Sequence, residues 1–275
     1  MTTILDGGLS NALEDRGHDV SSSLWTARLL VDAPGEIAEV HRAYYDAGAQ
    51  VATTASYQAP DELLGRSVRL ARAVRDERAE EGLLVAASVG PYGASLADGS
   101  EYRGRYGVPR ATLHDFHARR LELLVEAGPD LLAVETVPDA DEAEVLVPLL
   151  ADLGVPAWFS YSVDGDRTRA GQPLVEAYAV LADCPALVAA GVNCARPADV
   201  LGAVTTAVAA TGLPAVAYPN RGEDWDPVAK QWVGAGGLPL DLARAWVDAG
   251  ASYVGGCCRV GPAEIRDLAD GLADA

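Results

Sequence analysis

Lysine is all but missing from this chain: Lys230 is the only one among 275 residues. A Schiff-base mechanism therefore has one candidate nucleophile, set in a polar stretch with Trp225, Gln231 and Trp232, which speaks against that chemistry. Cysteine is scarce as well. Four cysteines are too few for a disulfide framework in a chain of this length, and the adjacency of Cys257 and Cys258 disfavours an unstrained bridge between them. Reduced thiols are expected. No apolar run approaches the roughly 18 to 20 residues that a bilayer span needs, and Met1 to Leu5 has neither the basic flank nor the apolar stretch of a secretion signal. A soluble, cytoplasmic protein is expected. Basic residues are outnumbered, 21 Lys and Arg against 40 Asp and Glu, for a formal net charge of -19. Without a basic patch such a chain repels nucleic-acid phosphates and anionic lipid, so neither is an expected partner. No Ser-rich, Pro-rich or low-complexity stretch reads as a linker, so residues 1–275 are expected to form one domain, with 49% hydrophobic residues to build its core.

What is present is a repeating order of strand then helix. Short runs rich in Val, Ala and Leu predict strands at Thr3 to Leu5, Gln50 to Thr54, Leu83 to Ser88, Leu131 to Glu135, Ala157 to Tyr161, Leu187 to Val192, Ala215 to Tyr218 and Ser252 to Gly255. Helical spacing, with Pro or a capping residue at the start and Gly near the end, predicts helices at Pro34 to Ala47, Thr112 to Ala127, Asp139 to Leu153 and Pro197 to Thr211. Others are predicted over Leu64 to Glu81, Leu174 to Ala182, Leu238 to Ala249 and Pro262 to Ala273. Eight such units in about the 250 residues typical of that architecture point to the α/β class and a single (β/α)₈ TIM barrel. An open doubly wound sheet shares the alternation and stays an alternative. No Gly-x-Gly-x-x-Gly turn follows the first strand and no Walker-type loop occurs, which removes the usual reason to prefer it.

In a (β/α)₈ barrel the chemistry sits just beyond the C-terminal ends of the strands. Those positions hold Asp6, Gly7 and Gly8; Thr54, Ala55, Ser56 and Tyr57; Glu135 and Thr136; Asn193 and Cys194; Tyr218, Pro219 and Asn220; and Gly256, Cys257 and Cys258. Strands six and eight flank strand seven, so Cys194 is expected to meet Cys257 and Cys258. Three converging thiols suit Zn²⁺, and three protein ligands leave a fourth position open, as catalytic zinc sites do. Three ordinary core cysteines, or a closed structural zinc with a fourth protein ligand, are the alternatives. Cys184 precedes strand six, at the opposite end, and reads as a small buried apolar residue. His114 and His117 are one helical turn apart but lie among Asp115, Arg119 and Arg120, which predicts a solvated helix face. His18 and His41 carry no spacing signal. No histidine stands at a strand end, so no Ser/His/Asp constellation can be assembled.

With these residues placed, the chain resembles the homocysteine S-methyltransferase family along essentially its whole length. The matching segments are ILDGGLSNALEDRG, HRAYYDAGAQVATTASYQA, SVGPYGASLADGSEYRGRYG, LLAVETVPDADEA, GVNCARP, AYPNRGEDWDP and GGCCRVGPAEI. The resemblance implies a zinc barrel that passes a methyl group to the sulfur of homocysteine, giving methionine, with Cys194, Cys257 and Cys258 as catalytic metal ligands. It also implies that Asp6 and Glu135 hold the amino group of homocysteine, that the backbone around Gly7 and Ser56 receives its carboxylate, and that Asn220 lies close to the metal.

The chemistry agrees with such a site. A free thiol is only a few per cent thiolate at neutral pH, and zinc removes that deficit. Three thiolate ligands keep the bound sulfur electron-rich. A sulfonium, S-methylmethionine or S-adenosylmethionine, is the expected methyl donor, because attack on it neutralises opposite charges in a dry pocket. Its cation could be met by Asp98, Glu101, Tyr92 or Trp25, each of which also reads as an ordinary loop or packing residue. The segment from Val89 to Tyr106 resembles the sulfonium-using branch of the family. Betaine or a methyl-cobalamin carrier is the alternative donor, although the chain ends soon after strand eight with no cobalamin or folate module expected. A general acid/base carboxylate pair is the competing role for Asp6 and Glu135. A non-catalytic zinc-binding barrel is the alternative from another class.

Overall fold

The computed structural model describes residues 2–20, 25–78, 80–226, 231–234 and 236–273. Lys230 lies outside them, as do the side chains of Trp25, Trp225 and Trp232. Eight strands form one parallel sheet: β1 (Thr3–Ile4), β2 (Val51–Thr53), β3 (Leu84–Val89), β4 (Leu131–Val137), β5 (Ala157–Tyr161), β6 (Leu187–Asn193), β7 (Ala215–Tyr218) and β8 (Ala251–Val254). Their spatial order is β1-β8-β7-β6-β5-β4-β3-β2. The remaining edge closes where Leu5 pairs with Val51 and the amides of Asp6 and Gln50 donate to the carbonyls of Val51 and Ile4 at 3.2 and 2.7 Å. The sheet is a barrel, not an open doubly wound sheet.

Each strand is followed by a helix on the outside: α1 (Pro34–Asp46), α2 (Asp61–Asp76), α3 (Arg110–Glu126), α4 (Ala140–Ala151), α5 (Leu174–Ala179), α6 (Pro197–Thr211), α7 (Leu240–Asp248) and α8 (Pro262–Gly271). Prolines fill the first turn of α1, α6 and α8, where a missing N–H costs nothing. The side chain of Asp139 caps α4 by accepting from the amide of Asp141 at 3.0 Å. Helix α2 begins ahead of the expected Leu64, because Pro60 makes the extended entry and Asp61 and Glu62 fill the first turn.

The two-residue period of the strands separates two cores. Leu84 and Ala86, Leu131 and Ala133, Trp158, Ala189, Val216 and Tyr218 pack inside the ring. Ala87 and Val89, Leu132 and Val134, Phe159 and Tyr161, Ala190 and Val192 pack against the helices. Continuing the inward register upward brings Thr53, Ser88, Glu135 and Asn193 to the C-terminal rim, so polar residues crown an apolar interior. Cys184 is buried in the strand–helix layer, its thiol donating to the carbonyl of Val147 at 3.7 Å.

One expectation about α3 is overturned. His114 is exposed, as predicted, but His117 and Arg120 are buried. They belong to the inward stripe Leu113, His117, Arg120, Leu121 and Leu124. His117 Nε2 donates to Glu142 of α4 at 2.8 Å, while Arg120 donates to the carbonyls of Ala59 and Ser56 at 2.8 and 2.9 Å. The neighbouring helix and the β2–α2 connection supply the partners that make burial of these polar groups tolerable.

Candidate functional site

Cys194 follows β6, and Cys257 and Cys258 follow β8. Their sulfurs all lie within 4.8 Å of one another, with Cys194 and Cys258 3.8 Å apart. The intervening strand β7 holds both ends in place. The amide of Cys194 donates to the carbonyl of Tyr218 at 3.3 Å, that of Cys257 to Pro219 at 2.7 Å, and that of Arg221 to Cys258 at 3.0 Å. The tip of β1 passes beneath the same turn, and glycine is required there for space. A Cβ on Gly7 would run into the carbonyl of Val260, and one on Gly8 would stand 2.6 Å from the carbonyl of Cys257.

The thiols share their charge unequally. Hydrogen bonds from Cys257 and Cys258, and then from Tyr102, hold the Cys194 thiol well below its usual range. The bonds to Cys194 in turn raise Cys257 and Cys258 well above theirs. One thiolate forms readily and opposes the next two, a balance that a divalent cation would reverse. The spacing also fits a metal. Zn–S bonds of about 2.3 Å in a tetrahedron put neighbouring sulfurs about 3.8 Å apart, which is the Cys194–Cys258 separation.

Two carboxylates share the pocket with the thiols. Asp6 accepts from the amide and hydroxyl of Thr53 at 2.6 and 2.8 Å. Burial nevertheless pushes its carboxyl up to about 8. Glu135 accepts from Ser88 and Tyr218, and burial pushes it up to about 7, with the Cys194 charge adding to the effect. Trp158 Nε1 donates to the Tyr218 hydroxyl at 3.0 Å and forms a floor beneath them. Two buried acids above their usual range, with no cation paired to them among the described residues, are arranged to receive a positive group.

Other sequence-assigned positions differ in what they touch. Asp6, Gly7, Glu135 and the three cysteines line the pocket, whereas Ser56 and Asn220 stand behind it. The Ser56 hydroxyl donates to the carbonyl of Ser88 at 2.7 Å, and the Asn220 side chain accepts from the amide of Cys258 at 3.2 Å. Among the donor candidates, Tyr92 packs on Tyr106 and Phe116, Asp98 accepts from the amide of Ser100 at 3.0 Å, and Glu101 is buried with its carboxyl raised by that burial. None of these three lines the pocket. Tyr102 does, and its hydroxyl lies 3.4 Å from the Cys194 sulfur. Tyr57, Thr53 and Thr136 also line the pocket without having been assigned a role. Tyr57 and Thr136 were visible as residues beyond strand ends, but Tyr102 sits in a connection with no periodicity to announce it.

Comparison with known proteins gives the family. The homocysteine S-methyltransferase family model matches residues 3–272. Homocysteine S-methyltransferase from Escherichia coli (strain K12) is 45% identical over 289 residues, covering 96% of this chain and 93% of that one. Homocysteine S-methyltransferase 4 from Zea mays is 42% identical over 306 residues, covering 99% and 90%. The crystal structure of the Escherichia coli homocysteine methyltransferase MmuM in its metallated form superposes with a TM-score of 0.87 at 41% identity, over 98% of this chain and 96% of that chain. The chain belongs to the homocysteine S-methyltransferase family and is a methyltransferase.

Proposed function

We propose that the protein transfers a methyl group from a sulfonium donor, S-methylmethionine or S-adenosylmethionine, to the sulfur of homocysteine, with Zn²⁺ held by Cys194, Cys257 and Cys258. The observation that carries this reading is the meeting, in one pocket, of three thiols at metal-binding spacing with two buried acids. When bound, the metal would supply the charge that keeps the acceptor thiol deprotonated at neutral pH.

The residues of the chain do the rest. Asp6 and Glu135 pair with the α-ammonium, which returns both carboxyls to the ionised state that burial resists. The backbone at Gly7 and near Ser56 receives the carboxylate, and the carbonyls of Ser56 and Ala59 are fixed from behind by Arg120. Asn220 acts on the site through the amide of Cys258. The acceptor sulfur forms a new S–C bond as the donor's S–CH₃ bond breaks, and the donor leaves as a neutral thioether. No leaving group has to be protonated, so Asp6 and Glu135 serve as counter-charges and not as a general acid/base pair. No described helix is long and apolar enough to cross a membrane. Thiolate ligation by Cys194, Cys257 and Cys258 needs reduced cysteines, and on that reading the protein works in a reducing, cytoplasmic setting.

The test is methionine formation from homocysteine by the zinc-loaded protein with each sulfonium in turn, beside Cys258→Ala. Turnover with one donor that vanishes with the variant and on chelation is expected. Bound zinc without turnover on either sulfonium would reject the donor assignment.

A further inference from the structure

Tyr102, in the connection between β3 and α3 (residues 90–109), stands in the pocket wall beside Cys194. One buried carboxylate takes hydrogen bonds from both ends of that connection. Glu142, in the first turn of α4, is 1% exposed. It accepts from the amide of Tyr92 at 2.6 Å, the hydroxyl of Tyr106 at 2.9 Å and His117 Nε2 at 2.8 Å. Tyr92 and Tyr106 bracket the segment that carries Tyr102, and their rings pack on each other at 5.4 Å. Asp139, one turn earlier, accepts from the amide of Arg105 at 2.9 Å. The stem of the connection is thus tied to the start of α4, whereas its tip reaches back over the pocket, where the Tyr102 hydroxyl meets the Cys194 sulfur. The same β4–α4 unit carries Glu135 at its strand end, so one element sets both the acid of the pocket and the height of its wall.

We propose that Glu142 is a positioning residue for methyl transfer: by accepting from both ends of the 92–106 segment it holds Tyr102 against Cys194 and keeps the donor side of the pocket formed. The donor part of this statement rests on the sulfonium reading above; the fastening itself does not. A carboxylate suits the task better than an amide would. Three donors converge on it, and a carboxylate accepts from all of them in charge-assisted bonds, whereas an amide accepts through one oxygen only and has to donate to the Tyr106 hydroxyl.

Arg103 and Arg105 are exposed on the segment, so trypsin reads its fastening without reference to turnover. In Glu142→Gln, fragments ending at Arg103 or Arg105 should appear about tenfold faster than in the parent, in line with charge-assisted hydrogen bonds giving way to neutral ones. Tyr106→Phe keeps the ring, removes one of the three bonds, and should show a smaller acceleration of the same cleavage. It carries the test should the glutamine variant fail to fold. Where the parent turns over, Glu142→Gln should lower kcat/KM for the donor while leaving homocysteine binding, followed by calorimetry, within about twofold. Acting through Tyr102, the substitution should add little in a Tyr102→Ala background. Unchanged cleavage in both Glu142→Gln and Tyr106→Phe, or a full and independent loss of kcat/KM in the Tyr102→Ala background, would overturn the assignment. A parent inactive on sulfoniums would count against the donor reading only, because the cleavage rates still decide the fastening.

Discussion

The side chain of Asn193 clamps Thr136 across the tip of β5. Its Oδ1 accepts from the amide of Thr136 at 2.6 Å, and its Nδ2 donates to the Thr136 hydroxyl at 2.8 Å. Thr136 and Cys194, the residues that follow Glu135 and Asn193, both take left-handed backbone angles, with φ of 59° and 48°. That conformation is unfavourable for a β-branched threonine. The clamp holds it, and it registers the acid of β4 against the thiol of β6. Asn193→Ala should lower stability by about 1–3 kcal/mol, because the Thr136 amide is left buried without a partner. It should also weaken metal binding by roughly tenfold or more. Urea unfolding and competition with a chelator would measure the two effects, and a variant matching the parent in both would show the clamp to be idle.

The raised carboxyls of Asp6 and Glu135 give the pocket a pH dependence of definite sign. In the empty site they titrate near 8 and 7, so at neutral pH protons are retained that must leave before an ammonium can pair. Binding of the amino group should strengthen as pH rises through 7 to 8 and weaken as it falls. An acceptor that keeps the thiol but lacks the amino group, such as mercaptobutyrate with its sulfur on the terminal carbon, separates this effect from thiol ionisation. Its KM divided by the KM for homocysteine should grow across the window by up to about tenfold per pH unit, and Asp6→Asn should flatten the rise. A constant ratio in the parent would mean that these acids do not meet the ammonium.

Gly7 is constrained by space and not by its backbone angle. An added methyl would strike the carbonyl of Val260 and stand 3.0 Å from the Tyr44 ring and hydroxyl. That hydroxyl already donates to the same carbonyl at 3.0 Å. Gly7→Ala should therefore push the β1 tip away from the Cys257–Val260 turn, at a cost of about 1–3 kcal/mol for overpacking. Reduced zinc content in the purified variant, together with a lower urea midpoint, is expected. Full zinc occupancy at unchanged stability would show that the turn yields easily.

The barrel and its cysteine cluster were legible because both follow from periodicity. Short apolar runs, each followed by a segment of helical spacing, give the eight strands, and counting strands places Cys194 beside Cys257 and Cys258. Tyr102 was not legible, since its contact with Cys194 spans 92 residues and depends on where a non-repeating connection folds back. His117 and Arg120 were misread from their charged neighbours, although their spacing from Leu113, Leu121 and Leu124 is that of a buried stripe. Immediate neighbours along a helix share no face, so their charge says little about burial. Ser56 and Asn220 show a different limit. Position beyond a strand end is enough to bring a residue to the rim, but whether its side chain enters the pocket or braces it from behind depends on partners such as Ser88 and Cys258.

His41, on α1, gives a stability prediction separate from the active site. It is fully buried, and neither ring nitrogen has a hydrogen-bond partner among the described residues. Burial lowers its imidazole from 6.5 to about 4. The folded protein thus keeps this ring neutral while the unfolded chain protonates it below about 6.5, so the unfolded state binds the extra proton between those values. Stability should fall as pH drops through that window, by about 3 kcal/mol from this group alone. His41→Leu removes the titration while keeping an apolar side chain in place. The decline in urea midpoint between pH 7 and pH 4.5 should then be visibly shallower in the variant than in the parent, whatever the substitution does to stability at pH 7. Equal declines would mean that the ring finds a partner or water on protonation, and that the acid sensitivity of the fold comes from its carboxylates.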